Sequence, residues 1–358
     1  MARIEVFFAT NRDVDGTDAE PIFGNRFNAQ GPDAFRVGRG EAERSKGVYH
    51  TRSIELFPET LAADQPEILG SRRAFADLRE QMRKEQRDAL LLIHGFASTV
   101  AGALERGAEL RKEYLIDGKE PIVFVFCWPS DGVTTPPRKY HDDRLDAKLS
   151  GPAMARALLR LIEFLRGAPG GSVRGERGLT AGEGAACDQR IHLVAHSMGN
   201  YALRWAVQEL RERLATDLLP AIFDNVFLMC ADEDDDALED PAKLAPLARL
   251  GRAVHVYHSH NDRALEISDL SKGNPNRLGA RGPRRLEVLD ARINVVDCQL
   301  VDWTEPEHGR HQYYRLRREV SLDVRQVLAG VPPELVKGRR ATGSPRSWQI
   351  LTGRAAGR

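Results

Sequence analysis

The stretch Ile191-His192-Leu193-Val194-Ala195-His196-Ser197-Met198-Gly199-Asn200 constrains this chain more than any other, because an apolar run stops there abruptly at a serine. A helix-like segment, Tyr201–Ala215, follows at once. Small–x–Ser–x–small between a buried-type strand and a helix is the pattern of a nucleophile elbow. The tight turn leaves no room for side chains at 195 and 199, hence Ala and Gly. It also holds Ser197 in a strained conformation with its hydroxyl above a sheet. A serine hydroxyl is a weak nucleophile until a base takes its proton. The pattern therefore requires an acid and a histidine further along.

Around that turn the chain alternates. Apolar runs at Ile4–Phe8, Ala89–Ile93, Ile122–Cys127, Ile191–Ala195, Val226–Cys230, Val254–Tyr257 and Ile293–Val301 read as strands buried on both faces. Helices are expected over Arg72–Glu85, Ala101–Glu113, Gly151–Arg166, Tyr201–Ala215 and Pro241–Arg252. Such alternation predicts an α/β fold: an open, mostly parallel sheet flanked by helices on both faces. Ile4–Phe8 and Tyr49–Phe57 are expected to pair as an N-terminal antiparallel edge. Residues 1–336 read as one domain, with loops at Gly167–Gly184, which has no apolar period, and at Lys272–Arg285, where glycines and prolines stand among basic residues. The basic tail 337–358 is expected to trail over the surface.

Composition narrows the function. With 52 Lys and Arg against 52 Asp and Glu, the chain lacks the basic balance of a nucleic-acid binder. Its four cysteines, Cys127, Cys187, Cys230 and Cys298, have neither metal-ligand spacing nor the density of a disulfide framework, which suits a reducing compartment. Met1-Ala2-Arg3-Ile4-Glu5-Val6 is not a secretory leader, and no stretch reaches the ~20 apolar residues of a membrane span. A cytoplasmic protein acting on a small molecule is the expectation.

Several residues can carry chemistry. Leu91–Phe96 ends a strand and turns at Gly95, where His94 suits a loop-holding role better than proton transfer. Two carboxylates compete for the acid. Asp262 follows the second strand after the serine, and Asp232 follows the first, within Asp232-Glu233-Asp234-Asp235-Asp236. That acidic run also suits the start of a helix near Pro241, and it lacks the glycine and ordered spacing of a calcium loop. The base is His311 or His308, in Glu307-His308-Gly309-Arg310-His311 after the last strand. His196 reads as packing, and His258 and His260 as polar loop residues near the cleft. His94, Trp128 and Tyr140 are candidate substrate contacts, although a Trp at a strand end suits a core. The Gly-rich stretches form no phosphate cradle, so no cofactor or metal is expected.

Together these pieces resemble a largely uncharacterised bacterial family of α/β-hydrolases in the esterase/lipase superfamily. The residues that carry the resemblance are Phe8-Ala9-Thr10-Asn11-Arg12, His94-Gly95-Phe96, Trp128-Pro129-Ser130, Ala195-His196-Ser197-Met198-Gly199-Asn200, Asp262 and His311-Gln312-Tyr313-Tyr314. The resemblance covers most of residues 1–320. It implies the α/β-hydrolase fold, a Ser197/Asp262/His311 triad in that order, and an oxyanion hole from the N–H groups of Phe96 and Met198. Thr10, Asn11 and Arg12 then either border the site or tie down the edge hairpin. The resemblance implies a hydrolase of unsettled substrate; the leading reading of the residues is hydrolysis of carboxylic esters, short-chain because no long apolar lid stands out, through an acyl-enzyme. Thioester or amide hydrolysis and acyl transfer would use the same groups, and a non-catalytic binding protein is the contrasting class. Two departures stand out: Cys230-Ala231-Asp232 where the family more often has Ala-Pro-Asp, and a longer loop at Gly167–Gly184.

Overall fold

Strand residues alternate between two apolar layers, and this alternation builds the sheet. Within Ala89–Ile93, Leu91 and Ile93 join one core while Leu90 and Leu92 join the other, as a period-two side-chain pattern requires. The structure, a computed structural model, describes residues 3–58, 70–134, 138–165, 189–215, 219–265, 276–301 and 307–352.

In chain order, β1 (Ile4–Thr10), a hairpin of β2 (Arg12–Gly16) and β3 (Pro21–Phe27), β4 (Arg36–Ser45) and β5 (Val48–Leu56) come first. Then follow α1 (Gly70–Glu85), β6 (Ala89–Ile93), α2 (Val100–Glu113), β7 (Ile122–Cys127), α3 (Arg138–Leu149) and α4 (Gly151–Leu165). The nucleophile region is β8 (Ile191–His196) and α5 (Gly199–Leu214), followed by β9 (Phe223–Met229), α6 (Leu247–Leu250) and β10 (Gly251–His258). The remaining elements are α7 (Leu278–Arg281), β11 (Ile293–Asp297), α8 (Tyr313–Leu316), α9 (Arg318–Leu328), β12 (Arg339–Ala341) and β13 (Ser347–Ile350).

The main sheet runs β12-β13-β11-β10-β9-β8-β6-β7-β1-β4-β5. Pairing is parallel from β13 through to β1 and antiparallel at both edges. Phe75 of α1, Met154 of α4 and Leu203 of α5 pack into one layer; Leu104 of α2 and Val324 of α9 pack into the other. Strand order reverses around β6 and β8, and in open α/β sheets the crevice beyond the strand carboxyl ends at such a reversal is where ligands bind. Ile93 pairs with Ala195 there, so the His94-Gly95 turn and the elbow leave adjacent strands side by side.

Four expectations are corrected. Tyr49–Phe57 does not pair with Ile4–Phe8: β4 lies between them, antiparallel to both β1 and β5. The buried positions of β4 are Val37, Gly38, Gly40 and Ala42, too small to give an apolar signal. Gly38 is small because a Cβ there would come within 2.8 Å of the Phe8 ring. Pro241–Arg252 is not one helix: consecutive turns lead to the short α6. Leu244 bonds back to Ala237, and Lys243 reaches both Asp234 and Asp236. Pro246 cannot supply the N–H a continuing helix needs. Ile293–Val301 ends as a strand at Asp297. Finally, residues expected to trail from 337 form β12 and β13, and β13 pairs parallel with β11. The loop Gly167–Gly184 lies outside the described residues, as do positions 266–275 of the second loop.

The docking of that C-terminal strand pair rests on a buried ion pair. Arg339 bonds Asp323 of α9 at 2.6 and 2.7 Å and Tyr257 Oη at 3.2 Å, with both charged side chains at most 3% exposed. Removing one member leaves a buried charge uncompensated, at a cost of about 3–5 kcal/mol. Arg339→Ala should therefore lower the stability read from urea unfolding by about that much. A loss no larger than the ~0.5 kcal/mol of an ordinary surface change would show that Asp323 is satisfied in another way.

Candidate active site

The elbow is built as the sequence pattern demands. Ser197 has φ +54°, a left-handed conformation that costs a residue with a side chain roughly 1–2 kcal/mol. A Cβ on Gly199 would stand 2.5 Å from the Ile93 carbonyl oxygen and 2.6 Å from that of His94, and one on Gly95 would stand 2.8 Å from Ser197 Cβ. The turn is pinned from below: the Ser197 N–H donates to Met229 O at 3.0 Å, and its carbonyl accepts from the Asp232 N–H at 3.1 Å. Asn200 Nδ2 bridges the carbonyls of Ala195 and Ser197 at 3.1 and 3.0 Å. Ser197 is 6% exposed.

Beside the elbow lies the loop that carries Phe96. Among the described residues the N–H groups of Phe96 and Met198 meet no acceptor. The loop is held by two buried charges. Arg12, 3% exposed, donates to the carbonyls of Gly24, Ser98 and Ser130 at 2.9, 2.8 and 3.0 Å. Asp143 of α3, fully buried, accepts from the N–H groups of Ala97 and Asp131 at 3.2 and 3.0 Å and from the Ser130 hydroxyl. Burial raises the Asp143 carboxyl, and these donors pull it back only in part. Asn11 Nδ2 bonds Pro32 O and Ser150 Oγ, and Thr10 Oγ1 bonds Cys127 O. Residues 10–12 thus fasten loops together. Asp143 escaped the sequence reading, since nothing in the charged stretch of α3 signals that one of its carboxylates is internal.

The structure brings His311 and Asp262 together: His311 Nδ1 lies 2.7 Å from Asp262 Oδ2. Asp262 follows β10 and is fully buried, and His311 is 8% exposed. The His311 ring lies 4.8 Å, centre to centre, from that of His196, the residue before Ser197. Burial alone would lower the His311 imidazole, but the charge and hydrogen bond of Asp262 outweigh it and raise it above its ordinary 6.5. The side chain of His308, the alternative base, lies outside what the structure describes.

Asp232 is placed otherwise. Its carboxylate accepts from Tyr140 Oη and sits 3.7 Å from Arg277 Nε. The rest of the acidic run is ion-paired, not solvated or capping a helix. Asp234 bonds Arg277 at 2.6 Å and Asp235 bonds Arg284 at 2.6 Å, both partners coming from the basic loop at 272–285. Two features that look separate in the sequence thus hold each other.

His94 and Trp128 are fully buried, so they form the floor beneath the loop and do not line a cleft. Their rings stack at 5.0 Å, Trp128 Nε1 donates to His94 O at 2.9 Å, and burial lowers His94 to about 3, which keeps it neutral. Tyr140 is half-buried, edge-on to Phe96 at 5.6 Å. His258 is buried and His260 exposed. His196, Cys230 and His311 are close enough to share a metal, their ligand atoms within 4.8 Å of one another. However, His196 Nε2 and the Cys230 thiol are both turned to the His311 carbonyl.

A mostly parallel sheet with a left-handed serine at the carboxyl end of a central strand is the architecture of an α/β-hydrolase. The chain belongs to the family described as alpha/beta hydrolase of unknown function (DUF900), whose model matches residues 71–167 and 180–330. The unmatched residues between the two stretches fall within Gly167–Gly184, and the strands of the N-terminal edge precede the match. No curated protein matches the chain.

The two carboxylates can be ranked without any substrate. In Asp262→Asn the His311 imidazole should titrate well below its wild-type value by NMR, because its partner charge is gone while its burial remains. Asp232→Asn should shift it far less. The reverse ranking would give Asp232 the acid role.

Proposed function

We propose that the protein is a serine hydrolase that cleaves carboxylic esters, of short acyl chain, through an acyl-enzyme on Ser197, His311 and Asp262. The observation that carries this reading is the 2.7 Å contact between His311 and Asp262, with the His311 ring 4.8 Å from that of His196, which precedes a left-handed Ser197. Ser197 Oγ attacks the ester carbonyl carbon while His311 Nε2 takes its proton. The negative charge formed on the carbonyl oxygen is met by the N–H groups of Phe96 and Met198; one such donor is worth about 3 kcal/mol. The carbon–oxygen bond to the alcohol then breaks, and His311 returns the proton to the departing oxygen. Water attacks the acyl-enzyme by the same route, with His311 again as base. Asp262 keeps the proton on Nδ1 and stabilises the imidazolium. Tyr140, against Phe96, flanks the substrate in this scheme, and no cofactor takes part. A reducing, cytoplasmic setting suits the buried free cysteines found among the described residues, Cys127, Cys230 and Cys298.

Hydrolysis of p-nitrophenyl esters from acetate to palmitate, by wild type and Ser197→Ala in parallel, tests the reading. Turnover should peak at short chains and fall by several orders of magnitude in the variant. Activity that survives the substitution would refute it, and turnover of amides or thioesters alone would move the substrate class.

The pH dependence has a definite sign. Only neutral His311 accepts the proton, and its pKa is raised. kcat/KM should therefore fall as pH drops through an apparent pKa above 6.5, the ordinary imidazole value. The acidic limb should move to lower pH in Asp262→Asn. A limb that does not move would remove Asp262 from the scheme.

A further inference from the structure

The base sits between a short 3-10 turn, Glu307–Arg310, and α8. Gly309 and Arg310 within that turn are both left-handed, with φ +62° and +59°, and His311 itself belongs to no helix or strand. Its carbonyl oxygen is fixed instead. His196 Nε2 lies 3.1 Å from it and the Cys230 thiol donates to it at 3.3 Å. A carbonyl oxygen has two lone pairs, and here each faces a donor. The donors come from different places: His196 is the last residue of β8, and Cys230 follows β9 directly.

Resting on the reading above, we propose that His196 and Cys230 are positioning residues for the base, clamping the His311 backbone so that its imidazole stands in register with Ser197. Three features support this. His196 immediately precedes Ser197, so the nucleophile and one anchor of the base are consecutive residues and move together. The His196 ring is itself fixed, stacked on Tyr314 at 4.5 Å and against His311 at 4.8 Å. Both donors are also neutral. Burial holds the His196 imidazole well below its ordinary range and the Cys230 thiol well above its own. Neither therefore places a cation beside an imidazolium that must form and decay in each cycle. The carbonyl facing Nε2 assigns the single imidazole proton of His196 to that nitrogen, and Nδ1 has no partner among the described residues. His196 thus serves as a one-sided donor.

The test compares variants that delete the donor with variants that keep it: Cys230→Ala against Cys230→Ser, and His196→Leu against His196→Gln. Three readouts apply to each: the low-field NMR signal of the His311 Nδ1 proton, the rate at which a fluorophosphonate labels Ser197, and kcat and KM on a short p-nitrophenyl ester. Cys230→Ala and His196→Leu should each slow labelling and kcat about tenfold with KM little changed, as misplacement of a reacting group does. Both should broaden or shift the proton signal, and Cys230→Ser and His196→Gln should recover most of each loss. Equal losses in donor-keeping and donor-deleting variants would mean packing alone and would overturn the proposal, as would an unmoved signal and rate in Cys230→Ala. If the proton signal responds as expected but wild-type Ser197 is never labelled, the clamp stands and the serine-hydrolase reading falls.

Discussion

Holding Ser197 left-handed at φ +54° is uphill for any residue with a side chain, and the surroundings are arranged to leave it no other conformation. Gly95 and Gly199 are glycines because a Cβ on either would enter the turn or the strand beside it. The Ser197 N–H and C=O are both taken, by Met229 and by Asp232. Asn200 closes the turn from inside. These contacts depend in turn on the parallel register that sets Ile93 beside Ala195 and Ala195 beside Leu228. A slip of one residue would turn the strand's apolar faces over and separate the elbow from the loop that carries Phe96.

The second layer of support is electrostatic, and it works by opposites. Arg12 gathers carbonyl oxygens from β3 and from the two loops at Ser98 and Ser130, and Asp143 gathers N–H groups and a hydroxyl from the same two loops. Each charge is buried, and each would be costly without its partners. The loop beside Ser197 is therefore held by a buried cation and a buried anion. Donors held this way need not reorganise when charge develops on a substrate, which is the condition under which they contribute most.

What could be read from the sequence follows from where its signals are strong. The seven strand runs from Ile4–Phe8 to Ile293–Val301 are rich in Val, Ile, Leu and Phe, and the elbow carries its own steric signature in Ala195, Ser197 and Gly199. Both were legible for the same reason: deep burial and tight turns admit few residue types. β4 was not, because its interior face is made of glycine and alanine against the Phe8 ring. α3 was not, because its inward residues are Asp143 and Ala147, which give no apolar stripe. The C-terminal strands were hidden by composition: Arg339 and Arg340 look like a solvated tail until Asp323, on the preceding helix α9, proves to be the buried partner of the first. His196 was read as packing, and its bond to a residue 115 positions away has no sequence signal at all.

Asp232 and Asp262 show why two carboxylates close to one serine need not do the same work. Asp232 already faces a cation, Arg277, and a phenolic donor, Tyr140. Its charge is partly compensated before any reaction begins, and a proton arriving on the His311 imidazole gains less from it than from Asp262. Asp262 is fully buried, and among the described residues its ion-pair partner is His311. Backbone from Leu265 adds a bond at 3.3 Å. In the proposed reaction the proton taken from Ser197 would complete the compensation of that buried charge, so the protonated pair is favoured most where the carboxylate has least else. The ion pairs that tie Asp232, Asp234 and Asp235 to Arg277 and Arg284 thus also shape the site indirectly: they neutralise the neighbouring acids and leave Asp262 as the carboxylate whose charge answers to the base.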